Sequence, residues 1–321
     1  MIVVTGAAGF IGSCLVKKLN DLGYRNLVLV DAFGRSDRAR NLYNKGYIAK
    51  VEREAFFDWI KKFEDDIQCI FHIGARTDTA EKSEEIFDAL NLNYSKRLWS
   101  IALAKDIPFF YASSAATYGL GEKGYIDSHE IVKDLRPLNP YGASKNDFDK
   151  WVLAQTDCPT RWAGFKFFNV YGPNEYHKGR MASVIFHTFK QIQQSNQMRL
   201  FRSHREDVAD GEQSRDFIYV KDLVNVLAFF WEEARPSGLY NLGTGRARTF
   251  FDLARLTFEA LDKSPEIHFI DTPEDIRDTY QYYTQADMSK LKSIGYDQPF
   301  TSLEDGIQDY VSQYLKNNRC W

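Results

Sequence analysis

Tyr141 and Lys145 have the side chains and the spacing needed to move a proton to or from an alcohol. They stand four residues apart where a helix is predicted to begin, so both lie on one face of it. A neighbouring ammonium group lowers the pKa of a tyrosine, and the phenolate then accepts a proton near neutral pH. Ser114 or Thr117, at the end of a predicted strand, could hydrogen-bond the reacting hydroxyl. A serine-rich turn also has a purely structural interpretation.

Three glycines, Gly6, Gly9 and Gly12, follow the first predicted strand with the spacing GxxGxxG. Gly6 permits a tight turn, Gly9 lets the backbone approach a pyrophosphate, and Gly12 lets the following helix pack on the strand. The N-terminus of that helix adds free N–H groups and a partial positive charge. Together these features predict a cradle for the phosphates of a dinucleotide.

The acid that ends the second predicted strand, Asp31, would accept hydrogen bonds from the adenosine ribose. Alone it favours NAD, since a carboxylate repels a 2′-phosphate. Arg35, Arg38 and Arg53 follow that strand and either pair with such a phosphate or remain solvated. These residues by themselves leave NAD and NADP open.

Short apolar segments alternate with helical patterns through the first half of the chain. Strands are predicted over Ile2–Thr5, Asn26–Asp31, Gln68–His72, Pro108–Ser113 and Arg161–Phe168. Helices are predicted to end at about Asp21 and to cover Asp88–Ala104 and Asn146–Ala154. This alternation predicts an α/β fold with a doubly wound parallel sheet of the Rossmann type.

After Gly172 the pattern changes, and further helices are predicted over Met181–Gln194, Lys221–Glu233, Phe250–Leu261 and Leu303–Leu315. Residues 1–172 are predicted to form the dinucleotide-binding domain. Residues 173–321 are predicted to form mainly a smaller α/β lobe that binds the substrate. Elements between about 215 and 245 are predicted to return to the cofactor domain.

Composition narrows the class of protein. The hydrophobic share of 44 % and the charged share of 26 % are globular values. A net charge of −3 gives no electrostatic reason to expect a nucleic-acid or membrane partner. Four cysteines without CxxC spacing predict neither a metal site nor a disulfide framework, and reduced thiols fit a cytoplasmic location. No apolar segment is long enough to predict a transmembrane helix.

Longer motifs carry a family resemblance that spans nearly the whole chain. They are SSAATYG from Ser113, NVYGP from Asn169, HKG from His177, MASV from Met181 and YTQAD from Tyr283. With the glycine turn and the tyrosine–lysine pair, they resemble the extended short-chain dehydrogenases/reductases that act on sugar nucleotides. The last three motifs are the specific ones, and through them the chain resembles the ADP-glyceromanno-heptose 6-epimerases.

The resemblance implies an isomerase that inverts C6″ of ADP-D-glycero-D-manno-heptose, which supplies heptose for the lipopolysaccharide inner core. It implies a tightly bound NADP that oxidises the sugar to a ketone and reduces it again on the other face. It further implies two bases, Tyr141 and Lys178, with Ser114 on the reacting oxygen and Lys145 beside the tyrosine. A homo-oligomer, commonly a pentamer, is also implied.

The resemblance implies two sets of binding residues. The cofactor set is Gly6, Gly9, Phe10, Ile11, Gly12, Asp31, Ala32, Arg38, Arg53, Ile73, Gly74, Ala75, Arg76, Thr77, Asn91, Lys145 and Val170. The substrate set is Ser114, Asn169, Arg180, His187, Phe201, Arg202, Ser203, His204, Arg215 and Tyr280. Ala32 stands where members of the family carry asparagine, which removes one contact to a 2′-phosphate, so NAD stays open beside NADP.

Two other kinds of protein compete with this interpretation. A UDP-hexose 4-epimerase, or another short-chain dehydrogenase acting on sugar nucleotides, would use the same fold. A 4,6-dehydratase is disfavoured, because it needs an acid where Ala115 and Ala116 stand. A 4-epimerase reuses one tyrosine, so a functional Lys178 would distinguish the two epimerases. A non-catalytic dinucleotide-binding protein is the other alternative, and the retained Tyr141 and Lys145 disfavour it.

Overall fold

Seven parallel strands form the large sheet, in the order β10-β6-β5-β4-β1-β2-β3. The computed structural model describes residues 1–34, 36–79, 81–277 and 280–321. The strands in these ranges are β1 (Ile2–Thr5), β2 (Leu27–Asp31), β3 (Ala49–Glu52), β4 (Cys69–His72), β5 (Phe109–Ser114), β6 (Trp162–Phe167), β7 (Asn169–Tyr171), β8 (Met198–Phe201), β9 (Ser214–Tyr219), β10 (Gly238–Leu242), β11 (Ala247–Thr249) and β12 (Ile267–Ile270). The predicted fold class, a doubly wound parallel sheet, is confirmed.

Helices cover both faces of this sheet. They are α1 (Phe10–Asp21), α2 (Ser36–Ala39), α3 (Phe56–Phe63), α4 (Glu84–Phe87), α5 (Tyr94–Ala104), α6 (Pro140–Leu153), α7 (Val184–Ser195), α8 (Val220–Glu232), α9 (Phe250–Glu259), α10 (Glu274–Arg277), α11 (Ser289–Ser293) and α12 (Leu303–Asp309). Shorter 3₁₀ turns include Ala115–Tyr118 and Tyr176–Met181, and π-helical turns cover Asp88–Asn93 and Tyr310–Leu315. No helix within the described ranges combines the length and the apolar character that crossing a bilayer requires.

The central strands are buried along their whole length, as strands of a parallel sheet covered on both faces should be. Every residue of β1, β2, β5 and β6 is buried, whereas β3 at the sheet edge has a single buried residue, Val51. Strand β3 and helix α3 were not predicted from the sequence. An edge strand with one buried position lacks the apolar run that revealed the central strands.

Helix α6 begins at Pro140, so the predicted start at Asn146 was wrong. Asn139 caps the helix, and its Oδ1 accepts a hydrogen bond of 2.8 Å from the Gly142 N–H. Proline at the first helical position after an asparagine cap is a common N-terminal signal. The cap places Tyr141 in the first turn and Lys145 one turn later, on the side of the helix that faces β5.

Two small sheets lie beyond the large one, with strand orders β11-β9-β7 and β12-β8. Strand β7 follows β6 after a single residue, so the small β11-β9-β7 sheet begins where the large sheet ends. Strand β10 (Gly238–Leu242) pairs with β6 and forms an edge of the large sheet. The division at residue 172 stays a prediction.

His72, at the end of β4, joins neighbouring elements through its ring. Its Nδ1 lies 2.7 Å from Thr5 Oγ1 on β1, and its Nε2 lies 2.8 Å from Ser95 Oγ on α5. Burial lowers its pKa from 6.5 to about 3. The imidazole is therefore neutral in the folded protein, while in the unfolded chain it binds a proton below pH 6.5.

Acid should therefore destabilise the protein through His72. Its contribution is fully present above pH 6.5 and is lost as the pH falls from 6.5 toward 3, by about 2 kcal/mol at pH 5. Chemical denaturation at pH 7.5 and pH 5 measures the change in the free energy of unfolding. His72→Gln, which does not titrate, should show a smaller change by that amount. Equal changes in both proteins would contradict the assignment.

Candidate functional site

The glycine turn between β1 and α1 is shaped by close backbone contacts. Gly6 has φ +67°, and a Cβ there would lie 2.6 Å from the Gly74 Cα. A Cβ on Gly12 would lie 2.1 Å from the Gly6 carbonyl oxygen. A Cβ on Gly9 meets only the Gly6 oxygen, at 3.1 Å, and otherwise points into open space. Gly6 and Gly12 are thus required by packing, and Gly9 keeps the space above the turn clear.

A cleft of about 520 Å³ opens at this turn along the carboxyl ends of β1, β2 and β4. Most of the predicted cofactor residues line it: Gly6, Gly9, Phe10, Ile11, Gly12, Asp31, Ala32, Arg38, Arg53, Ile73, Gly74, Ala75, Arg76 and Thr77. His177 and Lys178 line it as well. Asn91, Lys145 and Val170 lie outside this lining.

The Asp31 carboxylate is held at the end of the cleft by three donors. Its oxygens accept hydrogen bonds from the Ala8 N–H at 2.9 Å, the Ala32 N–H at 2.8 Å and Arg38 Nη1 at 3.0 Å. Arg38 thus neutralises the acid that would repel a 2′-phosphate. Arg53 lines the same cleft and pairs with Glu54. Arg35 lies outside the described residues.

The tyrosine, serine and lysine of the predicted reacting centre come together between β5 and α6. The Ser114 hydroxyl lies close enough to Tyr141 to favour the ionised form of its phenol. Lys145 Nζ donates a hydrogen bond of 2.7 Å to the Ala112 carbonyl, and burial lowers its pKa to about 8. Burial raises the pKa of Tyr141, and the Ser114 hydroxyl opposes this only in part. The lowering of this pKa by Lys145 stays a prediction.

Asn91 connects the cleft to helix α6. Its Oδ1 accepts a hydrogen bond from the Arg76 N–H at 2.8 Å, and its Nδ2 donates to the Arg76 carbonyl at 3.0 Å. The same Nδ2 donates to Ser144 Oγ at 3.0 Å. Because Ser144 and Lys145 are neighbours, Asn91 fixes the rim of the cleft relative to the reacting centre.

Lys178 lies in the 3₁₀ turn Tyr176–Met181, far from α6 in sequence, yet it lines the same cleft as the glycine turn. Its Nζ lies 5.7 Å from the centroid of the Phe10 ring. Burial lowers the pKa of this amine, and the negative charge of Glu175 opposes that shift. A partly desolvated lysine of this kind exchanges protons nearer to neutral pH than an exposed one.

A second cluster gathers residues of the predicted substrate set. The guanidinium of Arg215 lies 5.5 Å from the Tyr280 ring centroid, and the rings of Tyr280 and Phe201 meet edge to face at 6.2 Å. Arg215 is 7 % exposed and donates to the Ser214 and Gln281 carbonyls. His204 is close in the chain to Phe201, and its N–H donates to the Tyr282 hydroxyl at 2.9 Å.

The remaining substrate candidates occupy more exposed positions. Arg180 pairs with Asp78 at 2.7 Å, and its carbonyl oxygen lies 3.3 Å from His187 Nε2. Arg202 pairs with Asp210 at 3.3 Å, and the Ser203 N–H donates to the same acid at 2.8 Å. Asn169 and Val170 lie on β7, which pairs with β9 next to Arg215.

A buried ion pair behind the reacting centre was not predicted from the sequence. Lys166 Nζ lies 2.7 Å from the Asp149 carboxylate, and both side chains are at most 1 % exposed. Asp149 also accepts hydrogen bonds from Ser113 Oγ and the Tyr111 hydroxyl. The available signal was an acid four residues after Lys145, on the same face of α6. No group of three or more metal-ligating side chains occurs among the described residues.

Comparison with known proteins places this geometry in a family. Residues 2–243 match the NAD dependent epimerase/dehydratase family. The chain belongs to that family. An ADP-L-glycero-D-manno-heptose-6-epimerase of Fusobacterium nucleatum is 45 % identical over 325 residues, covering 98 % of each chain. One from Brachyspira hyodysenteriae is 40 % identical, covering 99 % of this chain and 98 % of its own. The resemblance found in the sequence is confirmed.

Two solved structures share this fold. The crystal structure of the Helicobacter pylori ADP-L-glycero-D-manno-heptose-6-epimerase superposes with a TM-score of 0.80 at 27 % identity, covering 97 % of this chain and 95 % of its own. MoeE5, solved in complex with UDP-glucuronic acid and NAD, has a TM-score of 0.79 at 25 % identity, covering 98 % and 99 %. The fold and the family therefore agree between sequence and structure.

Proposed function

We propose that this protein inverts C6″ of ADP-D-glycero-D-manno-heptose to give the L-glycero epimer. The observation that carries the proposal is the position of Lys178. A partly desolvated amine lines the cleft on an element separate from the one that carries Tyr141. Inversion through a ketone returns the hydride to the opposite face of the carbon, so the carbonyl group must turn and its oxygen changes position. Two groups on separate elements can transfer the proton at the two positions of that oxygen. The names of relatives at 40–45 % identity support the same substrate.

In this proposal Tyr141 takes or returns the hydroxyl proton at one position of the sugar oxygen, and Lys178 does so at the other position. Ser114 holds the reacting oxygen through the hydroxyl that also contacts Tyr141. Lys145 keeps positive charge close to the centre, because its amine is fixed on the Ala112 carbonyl. Arg215 binds the pyrophosphate of the nucleotide, since a guanidinium presents paired donors to phosphate oxygens.

The cleft fits a nicotinamide dinucleotide. A Cβ on Gly9 would fill the space above the turn, and the Nε of Arg38 is buried at the other end of the cleft without a partner. The Phe10 and Ile11 N–H groups at the α1 N-terminus would hold the phosphates, and Asp31 with Arg38 would hold the adenosine ribose. When bound, the nicotinamide supplies hydride acceptance and return. We propose NADP, with NAD as the alternative.

Arg38→Ala tests the choice of cofactor. Removing a guanidinium that pairs with a 2′-phosphate should weaken NADP binding by about tenfold or more, and NAD binding much less. Calorimetric titration of nucleotide-free protein with each cofactor measures both affinities. Asp31→Ala is the comparison, because losing the ribose acceptor should weaken NAD, whereas for NADP it also removes a charge that repels the 2′-phosphate and should cost less affinity. An equal loss for NADP and NAD in Arg38→Ala would favour NAD.

The proposed reaction is tested directly with its substrate. Purified protein incubated with ADP-D-glycero-D-manno-heptose should produce the L-glycero epimer, followed by NMR at C6″. A protein that leaves this sugar unchanged but inverts C4 of UDP-glucose would instead be a 4-epimerase. A protein that binds nucleotide and converts neither sugar would be non-catalytic. We further propose a cytoplasmic location, supported by four free thiols, and homo-oligomerisation stays a prediction.

A further inference from the structure

A buried asparagine, Asn41, connects three parts of the chain that are distant in sequence. It is 1 % exposed and follows β2 in the 3₁₀ turn Arg40–Leu42. Its Nδ2 donates to the Ala8 carbonyl in the glycine turn at 3.1 Å and to the Asn174 carbonyl at 3.0 Å. It also lies 3.4 Å from the His177 ring nitrogen Nδ1. Asn41 therefore fixes the glycine turn to the segment that carries Lys178.

Asn174, whose carbonyl accepts the Asn41 hydrogen bond, is itself held by its own side chain. It is fully buried, with φ +77°, and its Nδ2 donates to Ser13 Oγ on α1 at 3.0 Å. Its Oδ1 accepts a hydrogen bond of 2.8 Å from the Trp321 N–H. Helix α1 and the segment around Trp321 thus hold the backbone at 174, four residues before Lys178.

The segment from Asn174 to Lys178 is also restrained internally. The Lys178 N–H donates to the Glu175 carbonyl at 2.9 Å, and the Glu175 carboxylate accepts hydrogen bonds from the Ser183 N–H and Oγ. This closes the turn around Lys178, so the turn moves as one unit. The height of the Lys178 amine above Phe10 is then set by the anchors at Asn41 and Asn174.

We propose that Asn41 is a positioning residue for Lys178. By joining the Ala8 and Asn174 carbonyls, it holds the Lys178 turn at a fixed distance from the cofactor cradle. The inference deepens the proposed function, on which it rests for the role of Lys178 as the second base. Asn41 itself touches neither substrate nor cofactor in this proposal. It determines the position of the Lys178 amine and the exposure of that amine to water.

A buried asparagine also stabilises a fold, so the test needs a matched control. Asn20 is 6 % exposed, and its Nδ2 likewise donates to two carbonyl groups, those of Tyr24 and Gly46, at 2.9 Å each. It lies at the far end of α1, away from the Lys178 turn. Each Oδ1 also accepts one hydrogen bond, from Cys320 Sγ at 3.5 Å for Asn41 and from the Gly46 N–H at 2.6 Å for Asn20. Leucine has nearly the shape of asparagine without its polar groups, so Asn41→Leu and Asn20→Leu remove comparable sets of hydrogen bonds.

Two readouts separate positioning from stability. Competitive acetylation of lysines over a range of pH, read by mass spectrometry of the Lys178 peptide, reports the accessibility and pKa of that amine without any turnover. Steady-state kinetics on the heptose substrate report kcat and KM. For Asn41→Leu, the Lys178 curve should move toward that of an ordinary exposed lysine. The kcat should fall by about a hundredfold, as expected for a group displaced by an ångström, with KM little changed.

Each outcome of these measurements supports or overturns the positioning role of Asn41. Asn20→Leu should lose similar stability while keeping the wild-type Lys178 curve and kcat. If Asn41→Leu and Asn20→Leu give the same curve and the same kcat, the positioning role is overturned. If Asn41→Leu does not fold, Asn41→Ser removes the Nδ2 donor while keeping a hydroxyl in the buried site, with Asn20→Ser as its control, and the same criteria apply. If wild-type protein converts no heptose but the Lys178 curve still shifts, the proposed function fails and the positioning role stands.

Discussion

Tyr141→Phe is expected to reduce kcat for epimerisation by about a thousandfold while leaving the dinucleotide bound. The substitution removes one oxygen, the phenol oxygen whose ionised form Ser114 favours and that we assign to proton transfer. The ring keeps its neighbour, since Phe87 lies 6.4 Å away between centroids and contacts the ring rather than the hydroxyl. No residue that lines the cofactor cleft is altered. The loss should therefore fall on the chemical step.

Epimer formation followed by NMR, together with the bound nucleotide measured by absorbance after denaturation, checks this expectation. Tyr240→Phe is the matched control. Tyr240 is 1 % exposed, and its hydroxyl donates to the Pro236 carbonyl at 2.7 Å on the edge strand β10. It should keep wild-type turnover after losing an equivalent buried hydrogen bond. Full activity of Tyr141→Phe would remove this residue from the mechanism.

Much of the cofactor cradle was predictable because it is local. Gly6, Gly9 and Gly12 stand within seven residues, between a strand and a helix, and backbone sterics alone dictate glycine at the first and last positions. Asp31 could be placed as well, because parallel strands end at the same edge of the sheet. Local sequence was therefore sufficient to predict this part of the site.

The environment of the two proposed bases could not be predicted in the same way. Asn174, four residues before Lys178, is held by hydrogen bonds with Asn41 and Trp321, which are more than a hundred residues away along the chain. The pKa of Tyr141 depends on how deeply α6 packs on β5, and sequence showed only that a lysine stood one turn away. Such shifts arise from tertiary packing, which the spacing of residue types does not report.

The ion pair of Asp149 and Lys166 could not be predicted from the sequence either, because it depends on how α6 lies across the sheet. Lys166 lies on β6 within a fully buried strand, where an apolar residue would be expected. Its partner is on α6, and the two meet only because the helix crosses the sheet in one particular position. From sequence alone, a lysine inside an apolar run signals a buried partner without identifying it.

Lys178→Met should abolish epimerisation in both directions, with a loss of about a thousandfold in kcat. Methionine keeps a flexible apolar chain over Phe10 and removes only the amine, so the cleft should still bind its cofactor. Both directions should fail because each inversion needs proton transfer at both positions of the sugar oxygen, and Tyr141 serves one of them. An enzyme that uses a single tyrosine for both proton transfers would tolerate this change.

Lys190→Met is the control for that experiment. Lys190 also places its amine over a phenylalanine, 4.5 Å from the Phe186 ring centroid, but it is exposed on α7 and does not line the cleft. Its replacement should leave turnover unchanged in either direction, measured by NMR from each epimer separately. If Lys178→Met behaves like Lys190→Met, Tyr141 alone transfers the proton before and after the carbonyl group turns. If only Lys178→Met loses both directions, two separate groups transfer the proton, one at each position of the sugar oxygen.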